Sequence, residues 1–322
     1  MSGITMGWQR YLNLRKEVTW GSKDGSGTDL LIPYTTYDVS VKPQATQAAL
    51  FNGVRQRKHN RVTKATLDGS LQMPMWAQHI SSKSIAEHLI TAAISGPASP
   101  TIDSFTAMLF DNGNDDKRHL GLRIGSLTIA GSADGDGTIT MNVGFNGKEE
   151  QNEGSPTALS ATAALPSEFT FDLTKFYLSS ESEGESATGS GEEVDIRSFE
   201  LTINNNLQVY HTNSFFPTVI AAGVREISFK FELFKTANTY DVLRRTSSIT
   251  NRAANLVLKG YHGGSGASGT KTVCNIYFDR LNFMNAADTV SLNALISQSI
   301  DWIPLKPATS ENDIEFAWSL EA

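Results

Sequence analysis

The glycine-rich segment around residue 266 is the stretch most similar to a nucleotide-binding motif. Gly264, Gly266 and Gly269 have the spacing of a dinucleotide fingerprint, in which the N-terminus of a following helix receives the pyrophosphate. Residues 272–277 instead alternate in the manner of a strand, and Lys271 stands in the wrong order for a phosphate loop. We therefore interpret the segment as a flexible hairpin tip and not as a phosphate site.

Metal-ligand and acid–base patterns are equally weak. Asp134 and Asp136 resemble the start of a calcium loop, but its fifth position is Thr138 and its twelfth is Phe145, where a bidentate glutamate is needed. Cys274 is the only cysteine, and the six histidines show no zinc-ligand spacing. The carboxylates cluster in glycine- and serine-rich segments, where nothing would tune their pKa for catalysis. We expect no catalytic, metal-binding or cofactor-binding residue, and a protein that is not an enzyme.

The elements that would have to position any site are almost all strands. Seven segments either alternate apolar and polar residues or are rich in β-branched and aromatic residues, which predicts strands with one wet face. These predicted strands are 37–41, 169–178, 196–203, 227–234, 255–258, 272–278 and 290–296.

Two short helices interrupt the predicted strands. Ser84 and Glu87 form a capping box at the start of the first helix, and Asn238 is placed to cap the second. The expected apolar faces are Ile85, Leu89 and Ala93 in the first helix, and Tyr240 and Leu243 in the second. Each helix is expected to cover one face of a sheet.

The same β-rich unit occurs twice along the chain. Similar segments recur in the same order and inward phase, at offsets that drift from 158 to 151 residues. The sequence therefore predicts a first module at 1–150, a linker or arm at 151–168, and a second module at 169–322 with a long acidic hairpin at 179–194. The matched segments are 70–76 with 228–234, 124–129 with 278–283, and 139–143 with 290–294.

Bulk composition limits the function classes. A length of 322 residues accommodates two domains, each with its own core. The excess of 34 acidic over 27 basic side chains, a net charge of −7, argues against a protein that grips the nucleic-acid backbone. One cysteine allows no intrachain disulfide, and no signal peptide or apolar membrane span is evident, so cytoplasmic synthesis without a membrane partner is expected.

One set of segments has the order and character of a known family. The segments are Glu17-Val18-Thr19-Trp20-Gly21, 127–129 with 144–148, 197–207, Pro217, and 223–233. Together they resemble the tail tube proteins of long-tailed bacteriophages. The resemblance covers most of the chain, but residues 181–193 form a longer excursion than expected and residues 51–60 are hard to align.

The resemblance implies a mainly β fold of two tandem tail-tube-like β-barrel or sandwich modules, each with one short flanking α-helix, assembling into a ring. Three chains would close a pseudo-hexameric ring, and stacked rings would form the hollow tube of the virion tail that conducts DNA during ejection. The implied partners are further copies of the chain, the tape-measure protein and double-stranded DNA in the lumen, and the tail tip or baseplate and terminator proteins. The inner tube of a contractile tail, a secretion-type tube, and a β-sandwich adhesin or carbohydrate-binding module are the alternatives.

The wet strand faces are the predicted lining of the lumen. A polar, weakly negative wall would not retain a phosphate backbone, whereas the alternative is an ordinary solvated sheet face. The candidates are Thr138, Thr140, Asn142, Ser228, Lys230, Glu232, Ser291 and Asn293.

Overall fold

The computed structural model describes most of the chain, and the statements below concern these residues. They are 11–22, 29–47, 60–77, 79–80, 83–95, 103–110, 117–152, 168–178, 192–234, 252–261, 271–289, 297–304 and 314–321.

The protein is mainly β, as predicted. The first half contains β1 (Tyr11–Lys16), β2 (Asp29–Ile32), β3 (Thr36–Tyr37), β4 (Ser40–Gln47), β5 (Asn60–Pro74), β6 (His79–Ile80), β7 (Lys83–Ser84), α1 (Ile85–Ile94), β8 (Ser104–Phe110), β9 (Lys117–Ser132), β10 (Thr140–Gly147) and β11 (Glu149–Asn152). The second half contains β12 (Phe169–Leu178), β13 (Glu192–Val194), β14 (Ile196–Asn204), β15 (Gln208–Tyr210), β16 (Val219–Ala221), β17 (Glu226–Phe234), β18 (Arg252–Tyr261), β19 (Lys271–Thr289), β20 (Ser297–Pro304) and β21 (Glu315–Glu321).

Most predicted strands are confirmed. Five of them fall within β12, β14, β17, β18 and β19. The predicted strand 37–41 is divided between β3 and β4, because Asp38 and Val39 interrupt the pairing with β5. The predicted strand 290–296 lies outside the described residues.

Eight antiparallel positions run side by side through both halves of the molecule. Their order is β3 with β4, then β5, β10, β9, β14, β17, β20 and β19. The first part of β9 leaves this run and pairs with β8 and β11. In the same way, the first part of β19 pairs with β18 and β21. The sheets do not close into a barrel in the described part of the chain, so the sandwich is the form observed.

The two halves repeat one pairing scheme. β1 pairs with β2 and β8 as β12 pairs with β13 and β18, and β11 flanks β9 as β21 flanks β19. Leu71, Val143 and Leu127 form a row across three strands of the first half, and Phe229, Trp302 and Phe283 form the equivalent row of the second. The duplication is therefore present in the strand topology.

Two details of the predicted correspondence were wrong. Leu127 corresponds to Phe283 and not to Leu281, because bulges at different positions change the register within the long strands. The counterpart of β10 is β20, seven residues after 290, so the match of 139–143 with 290–294 was displaced. Ser291 and Asn293 lie outside the described residues.

The first predicted helix is confirmed and spans Ile85–Ile94. The Ser84 hydroxyl accepts a 3.0 Å hydrogen bond from the Glu87 amide, and the predicted face of Ile85, Leu89 and Ala93 is buried. The second predicted helix, with Asn238, Tyr240 and Leu243, falls outside the described residues, as do residues 153–167 of the predicted linker. β12 and β13 form the paired stem of the acidic hairpin, whose tip at 179–191 is also outside them.

The apolar side of the eight-stranded run packs into one continuous core with α1 and the outer strands. Aromatic rings concentrate in the second half, where the Phe229 ring lies 4.8 Å from that of Phe278 and 5.7 Å from those of Phe176 and Phe231. The burial of these large side chains is the main stabilising term in this half.

Removing the helix cap should lower stability by a small, measurable amount. Ser84→Ala leaves the Glu87 amide without its side-chain acceptor, and we expect a loss of about 1 kcal/mol in the free energy of unfolding. Urea denaturation followed by circular dichroism measures the loss. Thr91→Ala, at an exposed position of the same helix, is the control and should not destabilise. Equal destabilisation by both variants would contradict the assigned cap.

Candidate assembly surface

The outward side of the eight-stranded run is a continuous polar face shared by both halves. In one cross-strand row Gln72, Asn142, Thr128, Thr202 and Ser228 lie side by side on five adjacent strands. Residues at alternate positions, such as Met141 and Ile129, point to the other side and are fully buried. The period of two along each strand thus produces one wet and one dry surface.

Six of the eight predicted lumen residues are on this polar face. Thr138, Thr140, Lys230 and Glu232 line a shallow hollow of about 520 Å³. Asn142 and Ser228 occupy the adjoining cross-strand row. The structure therefore brings these six together, although facing a lumen stays a prediction.

Sequence reasoning missed several residues of the same face. Glu200 and Thr202 alternate with buried Leu201 and Ile203 on β14, a signal that was available in the sequence. Ser299 and Asp301 were missed because β20 was expected nearer to residue 290.

The two halves are joined by the pairing of β9 with β14. Seven consecutive residue pairs run from Ser198 opposite Ser132 to Asn204 opposite Ser126. In the middle of the join the hydroxyl oxygens of Thr128 and Thr202 are 3.3 Å apart. This join makes the polar face continuous from one half to the other.

Asn205 locks the join beneath the polar face. Its buried amide donates hydrogen bonds to the carbonyls of Ala93 and Ile124, at 2.9 and 3.0 Å. The Arg225 guanidinium donates to the Asn205 side-chain oxygen at 3.1 Å and to the Ile94 carbonyl at 2.8 Å. Residues of the second half therefore satisfy carbonyls at the C-terminus of α1 in the first half.

A buried carboxylate organises the turn at the start of the first half. Glu17 accepts hydrogen bonds from the hydroxyls of Ser104 and Thr106 and from the amides of Gly21 and Gly121, all at 2.7–2.8 Å. Gly21 and Gly121 have φ angles of +67° and +68°, which favour glycine. The side chain of the first residue of the Glu17–Gly21 segment thus accepts a hydrogen bond from the backbone of the last one.

Trp20 connects this turn to two more segments of the chain. Its indole N–H donates to the Gly121 carbonyl at 3.0 Å, and the Arg123 and Lys148 cations lie 5.2 and 5.4 Å from its ring centre. Arg123 also donates to the Ile220 carbonyl on β16. Segments that are far apart in the sequence resemblance, 17–21 and 144–148, are therefore neighbours in the fold.

A half-buried tyrosine and a buried histidine hold strand β3. The Tyr37 hydroxyl and His119 Nδ1 are 2.6 Å apart, and His119 Nε2 lies 3.1 Å from a carboxylate oxygen of Glu150. Burial raises the pKa of Tyr37 well above its usual value and, outweighing the contact with Glu150, lowers the pKa of His119. His119 is thus a buried histidine that links β3, β9 and β11.

In the segment that resembles the start of a calcium loop, both aspartates accept hydrogen bonds from the protein. The Asp136 carboxylate accepts from the Thr138 amide, and the Asp134 carboxylate accepts from Arg197 at 2.8 Å. Within the described residues there is no cluster of three or more potential metal ligands. The same part of the chain contains no helix of the length and apolarity that a membrane crossing requires.

The class of protein is therefore a duplicated β-sandwich with one continuous polar sheet face and with contacts that join its halves. Residues 7–304 match a family model described as phage tail tube protein. The chain therefore belongs to the phage tail tube protein family, and its role is structural, in the virion tail. Comparison with curated proteins finds no match.

Loss of the buried carboxylate should destabilise the first half strongly. Glu17→Ala leaves two hydroxyls and two backbone amides without their acceptor, so we expect a loss on the order of 3 kcal/mol. Chemical denaturation measures this loss, and Asp172→Ala, at an exposed position of β12, provides the control with little effect. A Glu17 variant as stable as the control would show that the four contacts contribute nothing.

The contacts of Arg225 between the two halves should contribute to the free energy of unfolding independently of the Glu17 turn. Arg225→Ala removes donors to Ile94 and Asn205, and we expect a loss of about 2 kcal/mol. The neighbouring side chain of Val224 is 82% exposed, so Val224→Ala is the matched control and should be neutral within about 0.5 kcal/mol. Hydrogen exchange at the α1 amides should increase in the Arg225 variant alone; unchanged exchange would disprove the lock.

Proposed function

We propose that this chain polymerises as stacked trimeric, pseudo-hexameric rings into a hollow phage tail tube that conducts DNA into the host. The observation that carries the proposal is the β9–β14 join, because it shows within one chain a strand pairing that could also join the second half of one chain to the first half of the next. A surface that pairs one unit with the next by rotation closes into a ring.

Among the described residues, the second half has no strand paired to the equivalent edge of its sheet. In the first half the later part of β9 has β10 on one side and β14 on the other. In the second half, the part of β19 after Leu281 pairs with β20 alone among the described residues. At the other end of the run, β3 and β4 pair only with β5 in the same described set. In the part of the chain that the structure describes, one strand edge is thus open at either end of the polar face.

The repeat predicts how these two edges would meet. Ser40, opposite Asp68 on β5, corresponds to Asn204, which lies opposite Glu226 on β17. Leu127 of the first half is equivalent to Phe283 of the second. The residues immediately before them, Ser126 and Asn282, therefore also correspond. Asn204 pairs with Ser126 inside the chain, so Ser40 of one chain should lie opposite Asn282 of the next.

The dimensions of such a ring suit its proposed cargo. Eight strand positions per chain give twenty-four in a ring of three. At a spacing of about 4.8 Å and a tilt of about 40°, the backbone diameter is about 48 Å. The polar face would line the channel and the apolar face would remain in the core, which leaves room for double-stranded DNA or the tape-measure protein.

The remaining partners follow from the same role. The ends of the stacked tube would contact the tail tip or baseplate proteins on one side and the terminator protein on the other. The chain would be made in the host cytoplasm and assembled there into the virion tail.

Engineered cysteines test the ring contact. In assembled tubes of the double variant Ser40→Cys and Asn282→Cys, oxidation should link neighbouring chains into dimers and closed trimers on a non-reducing gel. The natural Cys274 is fully buried and should not interfere. Thr128→Cys with Thr202→Cys is the positive control, which should form a link within one chain.

Ser40→Cys with Asp279→Cys is the matched negative control, since Asp279 lies three residues, or about 10 Å, along β19 from Asn282. Tubes whose chains remain unlinked in the Ser40 and Asn282 variant would refute the edge pairing. Products that continue beyond the trimer would refute the ring of three.

A further inference from the structure

We propose that nearby carboxylates neutralise Lys230 and Arg197. These cations then do not bind DNA phosphates, and the polar face passes duplex DNA without retaining it. This inference rests on the proposed function, because it assumes that the polar face meets DNA. It assigns a role to four acidic residues, which are Asp134, Glu200, Glu232 and Asp301.

Lys230 sits between two acidic residues in one cross-strand row. Glu200 lies directly opposite it on β14, and Asp301 lies directly opposite it on β20. The ammonium nitrogen is 3.9 Å from an Asp301 carboxylate oxygen. Directly opposed side chains on neighbouring strands are close enough for their charges to interact.

Arg197 also contacts two carboxylates, one of which, that of Glu232, lines the hollow. Its guanidinium donates to the Asp134 carboxylate at 2.8 Å and to the Glu232 carboxylate at 3.4 Å. Asp134 comes from the connection between β9 and β10, and Glu232 comes from β17. The two carboxylates therefore hold the cation from both halves of the molecule.

The energy of these contacts indicates that stability is not their main purpose. Lys230 is 53% exposed, and exposed ion pairs contribute about 0–1 kcal/mol to folding. Lys230 and Arg197 nevertheless lie closer to their carboxylates than the Debye length of about 8 Å at physiological salt, so salt does not fully screen the opposite charges from one another. Two cations facing four carboxylates leave the surroundings of each cation negative.

The consequence would grow with the length of the tube. Each lysine or arginine that contacts a phosphate releases a counterion and contributes to affinity. The same position recurs in every chain of every ring, so even one free cation per chain would create a long array of sites that retard DNA. The carboxylates around Lys230 and Arg197 would remove these two positions from such an array.

Neutral substitutions test this masking on unassembled chains, in which the polar face is accessible. The double variant Glu200→Gln and Asp301→Asn keeps side-chain size but leaves Lys230 without its acidic neighbours. With a short fluorescent DNA duplex as the probe, anisotropy at about 50 to 200 mM salt should show tighter binding than the wild type. The log–log salt slope should steepen by about one.

The triple variant that adds Lys230→Gln is the matched control and should return to wild-type binding. Glu232→Gln with Asp134→Asn provides a second, independent test through Arg197. Binding no tighter than wild type in both double variants, or tight binding that survives Lys230→Gln, would overturn the proposal.

Negative-stain microscopy of the same proteins scores tube formation separately. Chains that form no tubes would overturn the proposed function, and the duplex-binding comparison would still decide the masking. In tubes that do form, the double variants should retain duplex DNA through low-salt washing and the wild type should release it. Equal retention by both would count against masking.

Discussion

The antiparallel pairing of β9 with β14 is the constraint on which the rest of this structure depends. It uses backbone hydrogen bonds that are indifferent to side-chain identity, so two diverged halves can still join edge to edge. Because the side-chain period along a strand is two, this register places the polar residues that alternate along β9 and β14 on one surface shared by both halves. A shift of one residue would turn Thr202 into the core and Leu201 toward solvent.

Side-chain contacts around the join add residue-specific polar interactions to the backbone hydrogen bonds of the β9–β14 ladder. Asn205 and Arg225 satisfy the end of α1, and Arg123 reaches β16, so the two halves are fixed by directional polar contacts as well as by strands. Buried polar groups are costly when unpaired, and these are paired across the two halves. The family-like segments 197–207 and 223–233 contain Asn205 and Arg225, which accounts physically for part of the resemblance.

The sequence predicted the strands, the first helix and the duplication because each leaves a local or periodic signal. Ser84 and Glu87 specify a cap within four residues, and the alternation along β12 or β17 is visible in a short window. The register of β19 could not be predicted, since it depends on bulges set by neighbouring strands. For the same reason Ser299 and Asp301 were missed on the polar face. Nothing local marks Glu17 as buried, because its four donors come from residues up to 104 positions away.

Linking two unlike halves in one polypeptide fixes their order around any closed assembly. A first half is always followed by a second, so features found in only one of them cannot occupy neighbouring positions. The β12–β13 stem of the second half carries the adjacent glutamates Glu192 and Glu193, whereas the equivalent strand β2 of the first half is Asp29-Leu30-Leu31-Ile32. Around a ring of such chains these features would alternate, which lowers the rotational symmetry of the outer surface from sixfold to threefold while the inner strand ladder keeps a nearly sixfold repeat.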